Sequence, residues 1–255
     1  MVIRSCSKLL GYGAVLLMLA SCGTTTTGVD ALPPDDGGGD TGGGDSGGGD
    51  MGGGDTGGGD PPAPTSPFNL VTAEESAYFQ GAFQDDFAFV RDTARVGGTA
   101  TLADLPGSGV VSYDGFMAIS FFSSLAANIR GEATLTVDMA TGATGGGATG
   151  FMGAVFDETT MTSPIVHYEG DITFSGGSLT AGSNGAAALD IQIDGAFNNG
   201  VQDLSITGHI DGYVYGPGGE GVFASGSNFI APKDITTVVD GTEVNGVATL
   251  WALKQ

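Results

Sequence analysis

From Gly109 onward, apolar side chains return at every second position, a spacing that a strand satisfies and a helix does not. Leu135, Val137 and Met139 alternate with Thr134, Thr136 and Asp138, and Leu189, Ile191 and Ile193 alternate with Asp190, Gln192 and Asp194. Leu204, Ile206, Ile210 and Val214 alternate with Ser205, Thr207, His209, Asp211 and Tyr213. Each run therefore has one apolar and one polar face, as antiparallel strands do when one side is buried and the other wet. Eight such runs can be traced, over 109–119, 130–140, 147–156, 165–175, 186–196, 203–215, 220–230 and 244–253. Turns rich in Gly and Asn separate them, among them Thr141-Gly142, Gly182-Ser183-Asn184-Gly185 and Asn198-Asn199-Gly200. No long helical pattern intervenes, which argues against crossover-linked parallel strands. Glycines inside the runs (Gly115, Gly131, Gly170, Gly195, Gly208, Gly212, Gly246) favour the sharp curvature of a barrel over a flat sandwich. The expected fold is all-β, an eight-stranded antiparallel up-and-down β-barrel over residues 105–255.

The amino-terminal quarter is of a different kind. Arg4 and Lys8 precede an apolar run from Leu9 to Ala20, the layout of a secretory signal over residues 1–21. Twelve residues of helix reach about 18 Å, short of a hydrocarbon core of roughly 30 Å. The run ends in Leu19-Ala20-Ser21-Cys22, which resembles the bacterial lipoprotein box, and that resemblance implies a lipid on Cys22 as the first mature residue. Gly23, rather than Asp, is similar to the residue that directs such proteins to the outer membrane, without saying which side of it they face. Residues 22–66 read as a disordered linker. Between Gly37 and Asp60 the chain repeats Gly-Gly-Gly-Asp with one spacer (Thr41, Ser46, Met51, Thr56), offering no face to bury and much backbone entropy to lose. The period of five lacks the apolar position of nine-residue calcium-binding β-rolls. Gly44-Asp45-Ser46-Gly47-Gly48 mimics a nucleophile elbow, and Gly37, Gly39 and Gly42 mimic a dinucleotide loop, but neither lies between a strand and a helix.

Residues 67–104 form a lead-in segment. Thr72, followed by Glu74 and Glu75, has the features of a helix start over 73–93. Tyr78, Phe79, Phe83, Phe87 and Phe89 fit both helical and alternating spacings, so helix and strand both stay open.

The whole chain carries 29 acidic and 7 basic residues, a formal net charge of −22. Such a balance disfavours nucleic acid and anionic lipid surfaces, because phosphates would be repelled. Two Cys and two His leave little for a zinc site or a disulfide framework. The alternation places His167 on the polar phase with Glu169 and Asp171, and His209 with Thr207 and Asp211, which reads as solvated histidine beside carboxylates. No Ser–His–Asp arrangement is legible, so no catalytic residue is expected. The candidate contact residues are His167, His209, Tyr213, Tyr215, Phe121 and Phe122. The two histidines would serve a haem ligand only from a loop tip. The aromatics would form an exposed platform, with Tyr213 and Tyr215 beside Phe121-Phe122 at the end of the first strand.

Three segments carry a resemblance. Leu105-Pro106-Gly107-Ser108-Gly109-Val110-Val111-Ser112-Tyr113-Asp114-Gly115 resembles the opening strand of the transferrin-binding-protein-B type β-barrel, and Gly131-Glu132-Ala133-Thr134-Leu135-Thr136-Val137-Asp138 is similar to its second strand. The run from Gly208 to Phe223, with Gly216-Pro217-Gly218-Gly219-Glu220-Gly221 inside it, resembles that family's later signature, with Gly219 where Ala is usual. The resemblance implies one eight-stranded barrel at the end of a surface lipoprotein, anchored through Cys22, that meets an extracellular protein or haem. The charge, the scarcity of Cys and His and the phase of the histidines point to no enzyme, no metal and no nucleic-acid partner. The alternatives are a carrier of haem or another small ligand and a structural envelope lipoprotein without a dedicated ligand.

Overall fold

The computed structural model describes residues 66–255 except 123–126 and 159. The expected signal segment, Cys22 and the Gly/Asp linker up to residue 65 lie outside the described residues. The described chain folds as helix α1 (Ala73–Gln80) and helix α2 (Ala82–Thr93), then strands β1 (Val110–Phe122), β2 (Ala127–Asp138), β3 (Thr144–Ala154), β4 (Ile165–His167) and β5 (Ile172–Ala181). Strands β6 (Ala187–Asn198), β7 (Asp203–Tyr215), β8 (Gly221–Ser227), β9 (Ile235–Val239) and β10 (Thr242–Lys254) complete it. The sheet runs β1-β2-β3-β5-β6-β7-β8-β10, and β10 pairs back onto β1, which closes an eight-stranded antiparallel barrel.

Two barrel positions are filled by a broken strand. β4 pairs with Met152–Ala154 at the end of β3, and β5 pairs with Gly146–Ala148 farther back. β8 pairs with the later half of β7 and β9 with the earlier half, and the chain leaves the wall between them over 228–234. The expected run over 165–175 is thus two strands, β4 and β5, and the run over 220–230 ends at Ser227, with β9 following as a strand that no expected run covers.

The alternation decides what the barrel contains. Met117, Ile119, Ile129, Leu135, Ile191, Ile193, Ile206, Ile210 and Leu250 all point inward and are buried, while the intervening Thr, Ser and Asp point out. Membrane-spanning barrels have the reverse arrangement, with an apolar band facing lipid. Among the described residues no helix is long and apolar enough to cross a membrane. Two strand glycines show why side chains are missing at tight points. A Cβ on Gly115 would stand 2.0 Å from the carbonyl oxygen of Trp251, and one on Gly212 would stand 2.0 Å from that of Phe223. The strands coil close enough there that only glycine fits.

The lead-in segment straps the barrel from end to end. It enters beside the β6–β7 turn, where the amide of Asn69 donates to the carbonyl of Asn199 at 2.8 Å, and Leu70 bridges to Val166. It then forms both helices, which settles the open choice in their favour. Thr72 caps α1, accepting from the Glu75 amide while the Glu75 carboxylate accepts from the Thr72 amide, a reciprocal capping box. Phe79, Phe83 and Phe87, four residues apart, lie on one side and pack against Phe116, Met152 and Trp251 on the barrel exterior. Tyr78 and Phe89 remain exposed. Past the helices the strap closes the far end of the barrel, where Thr99 bridges Tyr215, Thr101 bridges Ala186, and Ala100 and Leu105 are buried with the interior.

Candidate functional site

The two histidines lie on the outer faces of different strands, as their phase predicts, and each already holds a carboxylate. His167 on β4 places Nε2 3.3 Å from Glu75 Oε1, tying the wall to the first turn of α1. Glu75 Oε2 also accepts from the Thr72 amide at 2.8 Å and its hydroxyl at 2.9 Å, and these bonds, the backbone one foremost, hold its carboxyl below the usual range. His209 on β7 places Nδ1 2.9 Å from Asp190 Oδ1 on β6. The neighbouring Asp211 stands directly opposite Asp190 in the β6–β7 register. Its carboxyl is pushed up, first by burial and then by the charges of Asp190 and Asp234. Among the described residues no group of three or more His, Cys, Asp or Glu is placed to hold a metal ion.

The expected aromatic platform is not assembled. Phe121 points into the barrel and is 1% exposed, while Phe122, one residue on, points out. The period of two separates neighbours in sequence onto opposite faces. Tyr213 and Tyr215 do lie on the outer phase of β7, but at the other end of the barrel. Phe122 pairs with Asn245, near the start of β10, whereas Tyr213 pairs with Phe223 and Phe223 with Trp251, near the end of β10. Trp251 in turn pairs with Phe116, so Tyr213, Phe223, Trp251 and Phe116 make one aromatic row across four adjacent strands. Helix α2 covers the inner end of the row, with Phe87 edge-on to Trp251 at 5.4 Å between ring centroids. The guanidinium of Arg95 lies 4.8 Å over the Phe223 ring, and Tyr213, the outer end, is 38% exposed.

Two shallow, open concavities lie along these outer surfaces. One, of about 450 Å³, is bordered by Leu70, Gly150, His167, Tyr168 and Glu169. The other, of about 350 Å³, is bordered by Tyr213, Asp190, Asp211 and Thr180. The interior itself is filled by side chains. Tyr113 sits there fully buried, and burial, with the nearby charge of Glu220, pushes its hydroxyl pKa up to about 12, so it stays neutral.

Of a further group of residues the sequence singles out Phe122 alone. Phe122, Phe156, Met161 and Val201 are exposed toward the barrel end where the strap enters, and Phe229 and Ile230 are exposed on the excursion that leaves the wall midway along β7. Phe122 and Phe229 meet edge to face at 5.2 Å. All but Phe122 lie in connections, where hydrophobicity has no period to betray it.

No family model matches the chain, and no curated protein matches it. Among solved structures it is similar to a single-residue mutant of the vaccine antigen transferrin binding protein B from Haemophilus parasuis Hp5, at 12% identity and a TM-score of 0.35. It is similar also to the intact Ap-TbpB, with N and C lobes, at 14% identity and a TM-score of 0.27. Each match covers 62% of this chain and 29% of the other, so the chain spans less than a third of the length of either.

Proposed function

We propose that this chain is a lipid-anchored, non-enzymatic binding module of the outer membrane that presents the connections of a rigid barrel to an extracellular protein. The observation that supports it best is the packed interior. With Ile119, Ile129, Leu135, Ile191, Ile206 and Leu250 filling the barrel, a ligand is met from outside, by loops and outer strand faces. A rigid wall holds those loops in place before contact, so little further ordering is lost on binding. Cys22 carries the lipid in this reading, and the acidic linker gives the barrel its reach.

Two measurements test the proposal. A Cys22→Ala variant is expected to leave the membrane fraction and remain folded, and finding it still membrane-bound would refute the anchor. Titration of the protein with hemin is expected to give no saturable shift in the Soret band. A saturable band lost in His167→Ala or His209→Ala would replace the protein-partner reading with that of a haem carrier.

A further inference from the structure

We propose that the flank of helix α2 facing Arg130 is an oxyanion site, in which the guanidinium groups of Arg130 and Arg91 take a carboxylate from a ligand outside the barrel. The inference goes beyond loop contact with an extracellular protein, because it assigns a site on the wall and the anion that fits it.

Residues 67–255 hold 21 acidic side chains and 5 basic ones, so carboxylates are plentiful. Arg130 nevertheless takes none. It lies on the outer face of β2 beneath α2 and is partly buried. Its Nη1 donates to the side-chain oxygen of Gln84, a neutral acceptor, and its guanidinium lies 4.5 Å over the Phe87 ring. Among the described residues no carboxylate forms an ion pair with it. A guanidinium offers five N–H donors, and Gln84 meets one of them. A cation drawn out of water without a counterion is unfavourable. Burial, and then the neighbouring charge of Arg91, hold the Arg130 pKa below its usual range.

The second cation stands on the same side. Gln84, Ala88 and Arg91 recur at i, i+4 and i+7, so they share one flank of α2, and the bond from Arg130 to Gln84 shows that this flank faces Arg130. The Arg91 guanidinium lies 6.0 Å from the centre of the same Phe87 ring. Its Nε meets Asp92 at 2.9 Å, but both side chains are well exposed and water screens the pair. The nearest acids on the wall side serve the other flank, where the Tyr78 hydroxyl donates to Glu132 at 3.4 Å and also feels the charge of Asp86. In the wall register Arg130 pairs with Ala118, and Ala118 with Thr249. Both are small and partly exposed, which leaves room beside the guanidinium. A carboxylate there accepts from both arginines, and its two oxygens match the planar fork of Arg130. The acidity of the whole domain repels polyanions, which favours a single carboxylate over a phosphate-rich surface.

The test uses the full chain with nitrogen-15 arginine and follows the Nε–H resonances as sodium acetate replaces sodium chloride at constant ionic strength. The Arg130 and Arg91 signals are expected to move along one saturable curve, with a dissociation constant on the order of 1 mM. Arg95, which lies 4.8 Å over Phe223, should stay still. Arg91→Gln alters an exposed side chain, so its thermal unfolding should match the parent while the Arg130 response weakens about tenfold. Arg130→Lys keeps the charge and loses the fork, and is expected to abolish the saturable shift of Arg91. The blocked peptide N-acetyl-Gly-Glu-Gly-amide, with one carboxylate, separates two sources of the anion. Tighter binding than acetate assigns the site to an acidic side chain of a polypeptide, and equal or weaker binding assigns it to a free small carboxylate. A titration without saturation overturns the proposal, as do shifts shared by Arg95 or an Arg130 response unaltered in Arg91→Gln. Preference for inorganic phosphate over acetate overturns the choice of anion and with it the proposal. Each of these outcomes leaves the binding-module reading intact, since the anchor and hemin measurements decide that separately.

Discussion

The barrel interior and the seam beneath the helices are both apolar, yet they are built from different side chains. Inside, branched aliphatic side chains predominate, with Ile119, Ile129, Leu135, Ile191, Ile193, Ile206 and Ile210, and rings such as Phe174, opposite Ile193, are interspersed among them. Outside, Phe79, Phe83, Phe87, Phe116 and Trp251 do the packing, with Met152 filling the gap. An eight-stranded barrel has a narrow lumen, which branched aliphatic side chains fill from all sides. A helix laid on the convex face of a sheet touches it along a line, and large flat rings bridge that wider gap. Aromatic pairs add directional contacts there, as with Phe83 edge-on to Phe116 at 5.0 Å. The guanidinium of Arg130, 4.5 Å over Phe87 and bonded to Gln84, completes the seam from the wall side.

If the interior is the keystone, Ile191→Ala has the largest effect. It should cost about 4 kcal/mol and lower a single cooperative unfolding transition seen alike by fluorescence and far-ultraviolet dichroism. Phe83→Ala, on the seam, should cost about 3 kcal/mol and lose helical signal ahead of strand signal. Coincident transitions in that variant would show that seam and barrel are one unit. Thr72→Ala removes the cap of α1 and should cost about 1 kcal/mol, read as faster amide exchange in residues 73–80 alone. The smallest effect is one of pH. Glu75 has its pKa lowered from 4.5 in the folded chain, so its contribution is present above that value and is lost as the pH falls through the lower, folded one. Exchange in α1 should quicken as the medium is acidified below 4.5, and Glu75→Gln should abolish that dependence.

The same contrast explains what could be read in advance. The interior was legible because each strand writes its inner face into its own sequence, and Val166, Tyr168, Ile172 and Phe174 are buried as their phase requires. The seam was only half legible. Phe79, Phe83 and Phe87 have helical spacing, but Tyr78 and Phe89 confuse the pattern, and which rings meet a neighbour depends on an element elsewhere in the chain. Strand β9 was missed because Pro232-Lys233-Asp234 reads as a terminus rather than a detour, although Ile235, Thr237 and Val239 alternate correctly. The pairing of Tyr213 with Phe121-Phe122 failed for another reason. Phase tells inside from outside, but which end of the barrel a residue occupies is a property of topology.

The β1–β10 seam has a consequence in time. It joins Tyr113 to Lys254 and Phe122 to Asn245, so the first strand of the wall finds its partner only when the last has been made. Until then β1 is an open edge, able to pair with whatever strand it meets. Most other wall contacts join neighbours in the chain and form early, which leaves this long closure as the slow step of folding. A chain shortened by the length of β10 would keep most of its hairpins and never become a barrel.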